Sequence, residues 1–323
     1  MTEFENALEV IASGQRFIVA CHRRPDADAI GSAVAFASLI ETLGKEAWVY
    51  VPDRLPPSIR FLAEGTTIHT SLADSGEFDA RWVMDTAATE LLPAGIYEYT
   101  EGGPLVIVDH HSAHDDVGDV VVRDINACAT GEIVYELAIA LGLTPSELAP
   151  KARTALYAAM SADTAGFRYP STTASNLRAA ASLVEAGVDP WEVSYRLFES
   201  WSSGKLRLLG TVLDSMSVES NGRLALLRVS QAEILAAEAC DFDIEGLVDY
   251  GRRIDGVQVA ALAWEDADGE IHLSFRSRGN IDVSALAIKF GGGGHKGAAG
   301  ARSTDDLTTT LDRIRQYVSA ALG

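Results

Sequence analysis

From residue 16 to residue 111 the chain alternates short apolar, β-rich runs with helical periodicity, and no other feature restricts its fold as much. The runs are RFIVACH (16–22), EAWVYV (46–51), ARWVMD (80–85) and PLVIVDHH (104–111), with apolar residues at helical spacing over 29–43. Strands that are apolar throughout and separated by helices predict an α/β fold with a mostly parallel sheet flanked by helices. Three further helical patterns at 130–142, 146–162 and 172–187 complete a first domain over 1–190.

Residues 191–215 predict a helical linker with a break at Ser202-Ser203-Gly204, where a hinge between domains could lie. Beyond it the pattern changes to hairpins. MSVES and RLALLRV flank Asn221-Gly222, VQVAALAWED and EIHLSFRSR flank Asp268-Gly269, and helices are predicted at 282–289 and 304–321. These predict a smaller α+β domain over 216–323.

A length of 323 residues suits two such domains. The net charge of −20 opposes any role that grips long nucleic acid through many phosphates, and leaves room for a small anionic substrate where local cations reverse the field. No apolar run is long enough to span a membrane, and MTEFENALEVIASG reads as an acidic amphipathic helix, not as a signal peptide. Cys21, Cys128 and Cys240 are odd in number and widely spaced, so no disulfide framework or thiolate zinc site is predicted, and a cytoplasmic location is.

Acidic and histidine clusters follow the apolar runs directly. They are His22-x-x-x-Asp26-x-Asp28, the single Asp85, and Asp109-His110-His111. In an open parallel sheet the strands' carboxyl ends share one crevice, so the clusters are predicted to converge there. Asp163 ends a helical pattern at a turn and adds a fourth acid. Singly, Asp26, Asp28 or Asp85 would pass for helix caps or loop residues, and His110 for a core histidine. Jointly that reading fails, because unpaired polar groups at three strand ends would be costly to bury. Carboxylate and imidazole without thiolate suit manganese, magnesium or zinc, and two such ions would form a clamp for phosphoryl chemistry.

The second signal is Phe290-Gly-Gly-Gly-Gly294-His295-Lys296-Gly297-Ala-Ala-Gly300. A loop stripped of side chains lets backbone N–H groups approach phosphate, and His295 and Lys296 add cationic donors. Arg168 or Arg276 could fork two N–H groups onto a phosphate. His69, His114 and His272 carry no motif and read as surface or packing residues.

Together these residues resemble the DHH phosphoesterase family, through HRRPDADAIGS (22–32), VMD (83–85), VDHH (108–111) and SADTAGFRYPSTT (161–173). GGGGHKGAAG (291–300) resembles the DHH-associated substrate domain of its oligoribonuclease, pAp-phosphatase and cyclic-di-AMP phosphodiesterase branch. The resemblance implies two divalent ions, manganese first with magnesium or cobalt as alternatives. One would be held by His22, Asp26 and Asp85, the other by Asp28, Asp85, His110 and Asp163, with Asp85 bridging. It further implies His111 on the scissile phosphate, Asp109 orienting the histidines, and Arg276, Gly293, Gly294 and His295 holding nucleotide or terminal phosphate across an interdomain cleft. Many relatives carry an arginine shortly after the aspartate of the second motif, whereas Thr-Ala-Ala-Thr-Glu follows Asp85 here, which bears on the substrate and not on the ions.

The implied activity is hydrolysis of short oligoribonucleotides and linear or cyclic dinucleotides to mononucleotides, and of 3′-phosphoadenosine 5′-phosphate to AMP, by metal-activated water attacking phosphorus. Partners would be small nucleotides and short RNA, without long nucleic acid or membrane, in a homodimer. The alternatives are an inorganic pyrophosphatase or polyphosphatase, and a non-catalytic nucleotide-sensing module.

Overall fold

A computed structural model of the chain describes residues 2–73, 75–86, 88–99, 103–112, 115, 117–279 and 281–322, with only the backbone of His295. His114, and the side chain of His295, lie outside the described residues. The chain forms two compact units that meet in sequence at Ser200 and Trp201. Within 191–215, helix α6 (Pro190–Ser194) and a π-helical turn (Tyr195–Glu199) belong to the first unit, and α7 (Ser203–Asp214) belongs to the second.

In the first unit, helix α1 (Glu3–Ser13) precedes strand β1 (Arg16–Cys21), which leads into α2 (Ala27–Thr42). Strands β2 (Glu46–Tyr50), β3 (Ile68–His69), β4 (Ala80–Met84), β5 (Leu105–Asp109) and β6 (Val120–Arg123) follow, then α3 (Thr130–Ala140), α4 (Pro150–Asp163) and α5 (Ala174–Glu185). The six strands pair in the order β3-β2-β1-β4-β5-β6, every pairing parallel. The four predicted strands form its centre, and β3 and β6 were not predicted. Trp82 on β4 is fully buried against Phe36 of α2, their rings 4.4 Å apart.

Helix α2 is buried from Ala27 to Ile40, as a helix enclosed on all sides must be. Small residues let its neighbours close in. A Cβ on Gly31 would stand 2.9 Å from the Ala155 carbonyl of α4, and one on Gly131 of α3 would stand 2.5 Å from the Ala159 methyl of α4. The beginnings of α2 and α3 are thereby packed on α4.

The second unit holds β7 (Ser217–Glu219), β8 (Leu224–Val229), α8 (Gln231–Ala236), α9 (Val248–Arg252), β9 (Val259–Glu265) and β10 (Ile271–Ser277). It continues through α10 (Ser284–Ile288), β11 (Gly293–His295), β12 (Ala298–Ser303) and α11 (Leu307–Leu322). The sheet order is β11-β12-β10-β9-β8-β7, antiparallel except where β8 runs parallel to β9, so the unit is α+β.

The glycine tract, predicted as a loop, is in part a strand. Gly293, Gly294 and His295 pair with Gly300, Ala299 and Ala298. Side chains are missing for a steric reason as well. A Cβ on Gly292 or Gly294 would collide with the β12 backbone, whereas one on Gly293 would meet nothing within 4 Å.

Candidate metal centre

The ends of β1, β4 and β5, adjacent in the sheet, carry the three sequence clusters to one place. His22 follows β1. Its Nδ1 lies 2.8 Å from the Arg23 carbonyl, which fixes that nitrogen as the donor and leaves Nε2 a free lone pair. Nε2 stands 3.5 Å from Asp85 Oδ2 and 3.9 Å from Asp26 Oδ1. Asp26 is also the N-cap of α2, its Oδ1 accepting from the Ala29 N–H at 3.0 Å, so the plainer reading of this residue holds beside the chemical one.

On the other side, His110 Nε2 stands 3.3 Å from Asp163 Oδ2, 3.6 Å from Asp85 Oδ1 and 3.8 Å from Asp28 Oδ2. Asp85 therefore turns one oxygen to each group, Oδ2 towards His22 and Oδ1 towards His110 and His111. His111 Nδ1 is 2.7 Å from Asp109 Oδ1, and Asp109 is fully buried with its Oδ2 lacking a hydrogen-bond partner.

The electrostatics of the cluster call for positive charge. Burial, and then the carboxylates of Asp28, Asp26 and Asp163, push the Asp85 carboxyl well above its usual range, against the Thr130 hydroxyl that donates to it. Burial with Asp28 and Asp26 does the same to Asp163. Burial alone would lower the His111 imidazolium, but Asp109 and the acids beyond it raise it. Burial, and then Asp85, raise the nearby Cys21 thiol.

These residues fit divalent cations. The imidazole-to-carboxylate gaps of 3.3–3.9 Å are too long for charge-assisted hydrogen bonds. They match the spacing that ligands about 2.0–2.2 Å from a shared ion would leave. Three sets each place their ligand atoms within 4.8 Å of one another: His22, Asp26 and Asp85; Asp85, His110 and His111; Asp28, His110 and Asp163.

The sequence missed what holds two of these acids. Asp28 Oδ1 accepts from the Ser32 hydroxyl at 2.9 Å and the Gly131 N–H at 3.0 Å, and its Oδ2 from the Thr130 N–H at 2.7 Å. The Thr130 hydroxyl donates to Asp85 Oδ1 at 2.9 Å. Cys128-Ala-Thr-Gly-Glu132 signals only a helix start, so nothing in the sequence pointed at these contacts.

Comparison with known proteins settles the family. Residues 16–160 match the DHH family, N-terminal domain, and residues 233–322 the DHHA1 domain. A bifunctional oligoribonuclease and PAP phosphatase of Thermus thermophilus is 30% identical over 306 residues, 94% of this chain and 89% of that one. The chain belongs to the DHH family. Its Asp109-His110-His111 is the triplet behind the family name. Another protein called a bifunctional oligoribonuclease and PAP phosphatase, from Bacillus subtilis, is 28% identical over 87% of each chain. In fold, this DHH chain matches the crystal structure of an exopolyphosphatase-related protein from Bacteroides fragilis with a TM-score of 0.91 at 23% identity, over 99% and 98% of the two chains.

Of the remaining predicted site residues, Arg168 belongs to the first unit and the others to the second. Arg168 is exposed on the turn after α4, its Nε donating to the Ala165 carbonyl. Arg276 on β10 is half-buried, with Nη1 on the Ser274 hydroxyl at 3.2 Å and Nε 3.9 Å from Asp249. Backbone pairing puts Arg276 opposite Ala298, and Ala298 opposite His295, so one row across the sheet joins the arginine to the glycine tract. Lys296 is exposed, and its carbonyl accepts from the Ser277 hydroxyl. Of the motif-free histidines, His69 stacks on Trp48 at 3.5 Å, and His272 stacks on Trp264 and pairs with Asp266 at 2.7 Å.

Proposed function

We propose that the chain hydrolyses short oligoribonucleotides and dinucleotides such as pApA and cyclic di-AMP to mononucleotides, and 3′-phosphoadenosine 5′-phosphate to AMP. The observation that carries this reading is Asp85, a buried carboxylate facing an imidazole–carboxylate group with each oxygen. The names of the Thermus and Bacillus relatives support the substrate class.

His22, Asp26 and Asp85 would hold one divalent ion, and Asp28, Asp85, His110 and Asp163 the other, with manganese the first choice. Bound there, such ions supply Lewis acidity to the phosphoryl oxygens and lower the pKa of water. The chain's own residues orient the rest. His111 is held through Nδ1 by Asp109, which fixes the ring and favours the imidazolium, and in that form Nε2 carries a second proton that a phosphoryl oxygen can accept as a hydrogen bond. Arg276, Lys296, His295 and the backbone of Gly293 and Gly294 supply donors for a nucleotide phosphate, with Arg168 as a further donor on the first unit. The surplus of acidic residues supports short substrates over long nucleic acid. No described helix is long and apolar enough to cross a membrane; the cytoplasmic location is proposed from the sparse, unpaired cysteines. The family resemblance supports a homodimer.

The test is chromatography of products after incubation with pApA, cyclic di-AMP, 3′-phosphoadenosine 5′-phosphate and pyrophosphate, in manganese and then in chelator. AMP released only with manganese, with pyrophosphate intact, is the expected result. Cleavage of pyrophosphate alone, or of nothing, would overturn it.

A further inference from the structure

We infer that Thr130 is a positioning residue of the metal centre, its hydroxyl holding Asp85 and its amide holding Asp28 in the orientations that turn their oxygens towards cations. The inference rests on the metal-centre reading proposed above and concerns a residue outside the ligand set.

The reasoning begins at a helix without a cap. The N-cap position of α3 is Ala129, whose side chain can accept nothing, so the amides of Thr130 and Gly131 have no local acceptor. Asp28, about a hundred residues earlier in the chain, takes both, one on each oxygen. Ser32, one turn along α2, adds a second donor to Oδ1. With two donors Oδ1 has both its lone-pair directions engaged, whereas among the described residues Oδ2 accepts only the Thr130 amide and lies 3.8 Å from His110 Nε2. Asp28 is thus built to give a cation one oxygen, Oδ2, and not to chelate.

The same residue acts on Asp85. The Thr130 hydroxyl, with no exposed surface, donates to Oδ1 at 2.9 Å and occupies one lone pair of that oxygen. The other remains on the side of His110 and His111, and Oδ2 stays turned to His22. A carboxylate pinned in this way offers one oxygen to each ligand group and cannot rotate to give both to either. Thr130 has one further requirement: Gly131 beside it must be bare for α3 to come this close to α4 and Asp28.

The experiment compares Thr130→Val, which keeps the β-branched shape and the amide but loses the hydroxyl, with Thr130→Ser, which keeps the hydroxyl. Each protein is stripped of metal and titrated with Mn2+ alone, free Mn2+ being read by electron paramagnetic resonance, and each is melted in chelator. The expected result is a Mn2+ dissociation constant raised about tenfold to a hundredfold by valine and within about threefold of wild type for serine. A valine variant that melts lower in chelator yet binds Mn2+ as wild type does would reduce Thr130 to a structural role and overturn the inference. So would a serine variant as weak as valine. A wild-type chain that binds no Mn2+ would overturn the metal-centre reading itself, and the inference with it.

Discussion

Asp85 adopts φ of +69°, a left-handed conformation that residues other than glycine seldom take, directly after a strand and with its N–H bonded to the Val108 carbonyl at 2.8 Å. The ladder between β4 and β5 holds that turn, and the turn directs the carboxylate to the place where β1 and β5 deliver their histidines. Asparagine tolerates the same backbone and fills the same space. Asp85→Asn is therefore expected to abolish manganese-dependent AMP release, well beyond the roughly hundredfold loss typical of an outer hydrogen-bond partner. Its melting temperature in chelator should not fall, because the change removes a carboxyl that burial and three neighbouring acids oppose. Calorimetry beside the activity assay checks both halves. The converging residues were legible because each directly follows an apolar run or ends a helical pattern. Thr130, Gly131 and Ser32 were not, since their role lies in amides and hydroxyls that reach acids distant in sequence.

Gly31 shows two effects in opposition at the scale of elements. In an exposed helix, alanine for glycine gains about 1 kcal/mol. Here the new methyl would meet the Ala155 carbonyl at 2.9 Å, backbone of a packed helix that cannot swing aside, and overpacking of this kind costs about 1–3 kcal/mol. With the close approach to packed backbone placing the cost at the upper end, overpacking wins, and Gly31→Ala should lower the unfolding free energy measured in urea by up to about 2 kcal/mol. Asp79, just before β4, accepts from the amides of Gln15 and Arg16 at 2.7 and 2.9 Å, and those bonds hold its carboxyl below the usual value of 3.8. The stabilisation is present above that value and is lost as pH falls through the lower folded one. Asp79→Asn should therefore be the less stable protein at pH 7, the gap closing in urea titrations below pH 3.8. Strand legibility followed length and pattern. Ile68–His69 is too short to show a period, Val120–Arg123 is a brief run at the sheet's edge, and the glycine tract has no side chains from which to read a strand.

At the scale of the whole molecule the charge of −20 sets a length rule. Every added phosphate brings another unit of repulsion from the protein's summed field, while the centre can engage only one scissile group at a time. The value of kcat/KM for RNA should accordingly fall steadily from dinucleotides to strands of two dozen nucleotides. A flat or rising series, measured at one fixed ionic strength, would contradict it. The two units meet in sequence at Ser200 and Trp201, inside the stretch 191–215 where helical periodicity runs on both sides and only the change in pattern after residue 215 is visible in the sequence.

Strand order carries a consequence for how the first unit is assembled. The chain lays β1 down in the middle of the sheet, builds outward through β2 to β3, and only then returns to place β4 and β5 on the opposite side. The acids after β1 and β4 are thus separated along the chain by the whole outward excursion and are neighbours only because the chain returns across β1. Without a divalent ion, the folded sheet holds Asp85 against the repulsion of Asp28, Asp26 and Asp163. A divalent ion held there would act as a clasp across that return, and chelator should loosen the strands' carboxyl ends before the rest of the sheet.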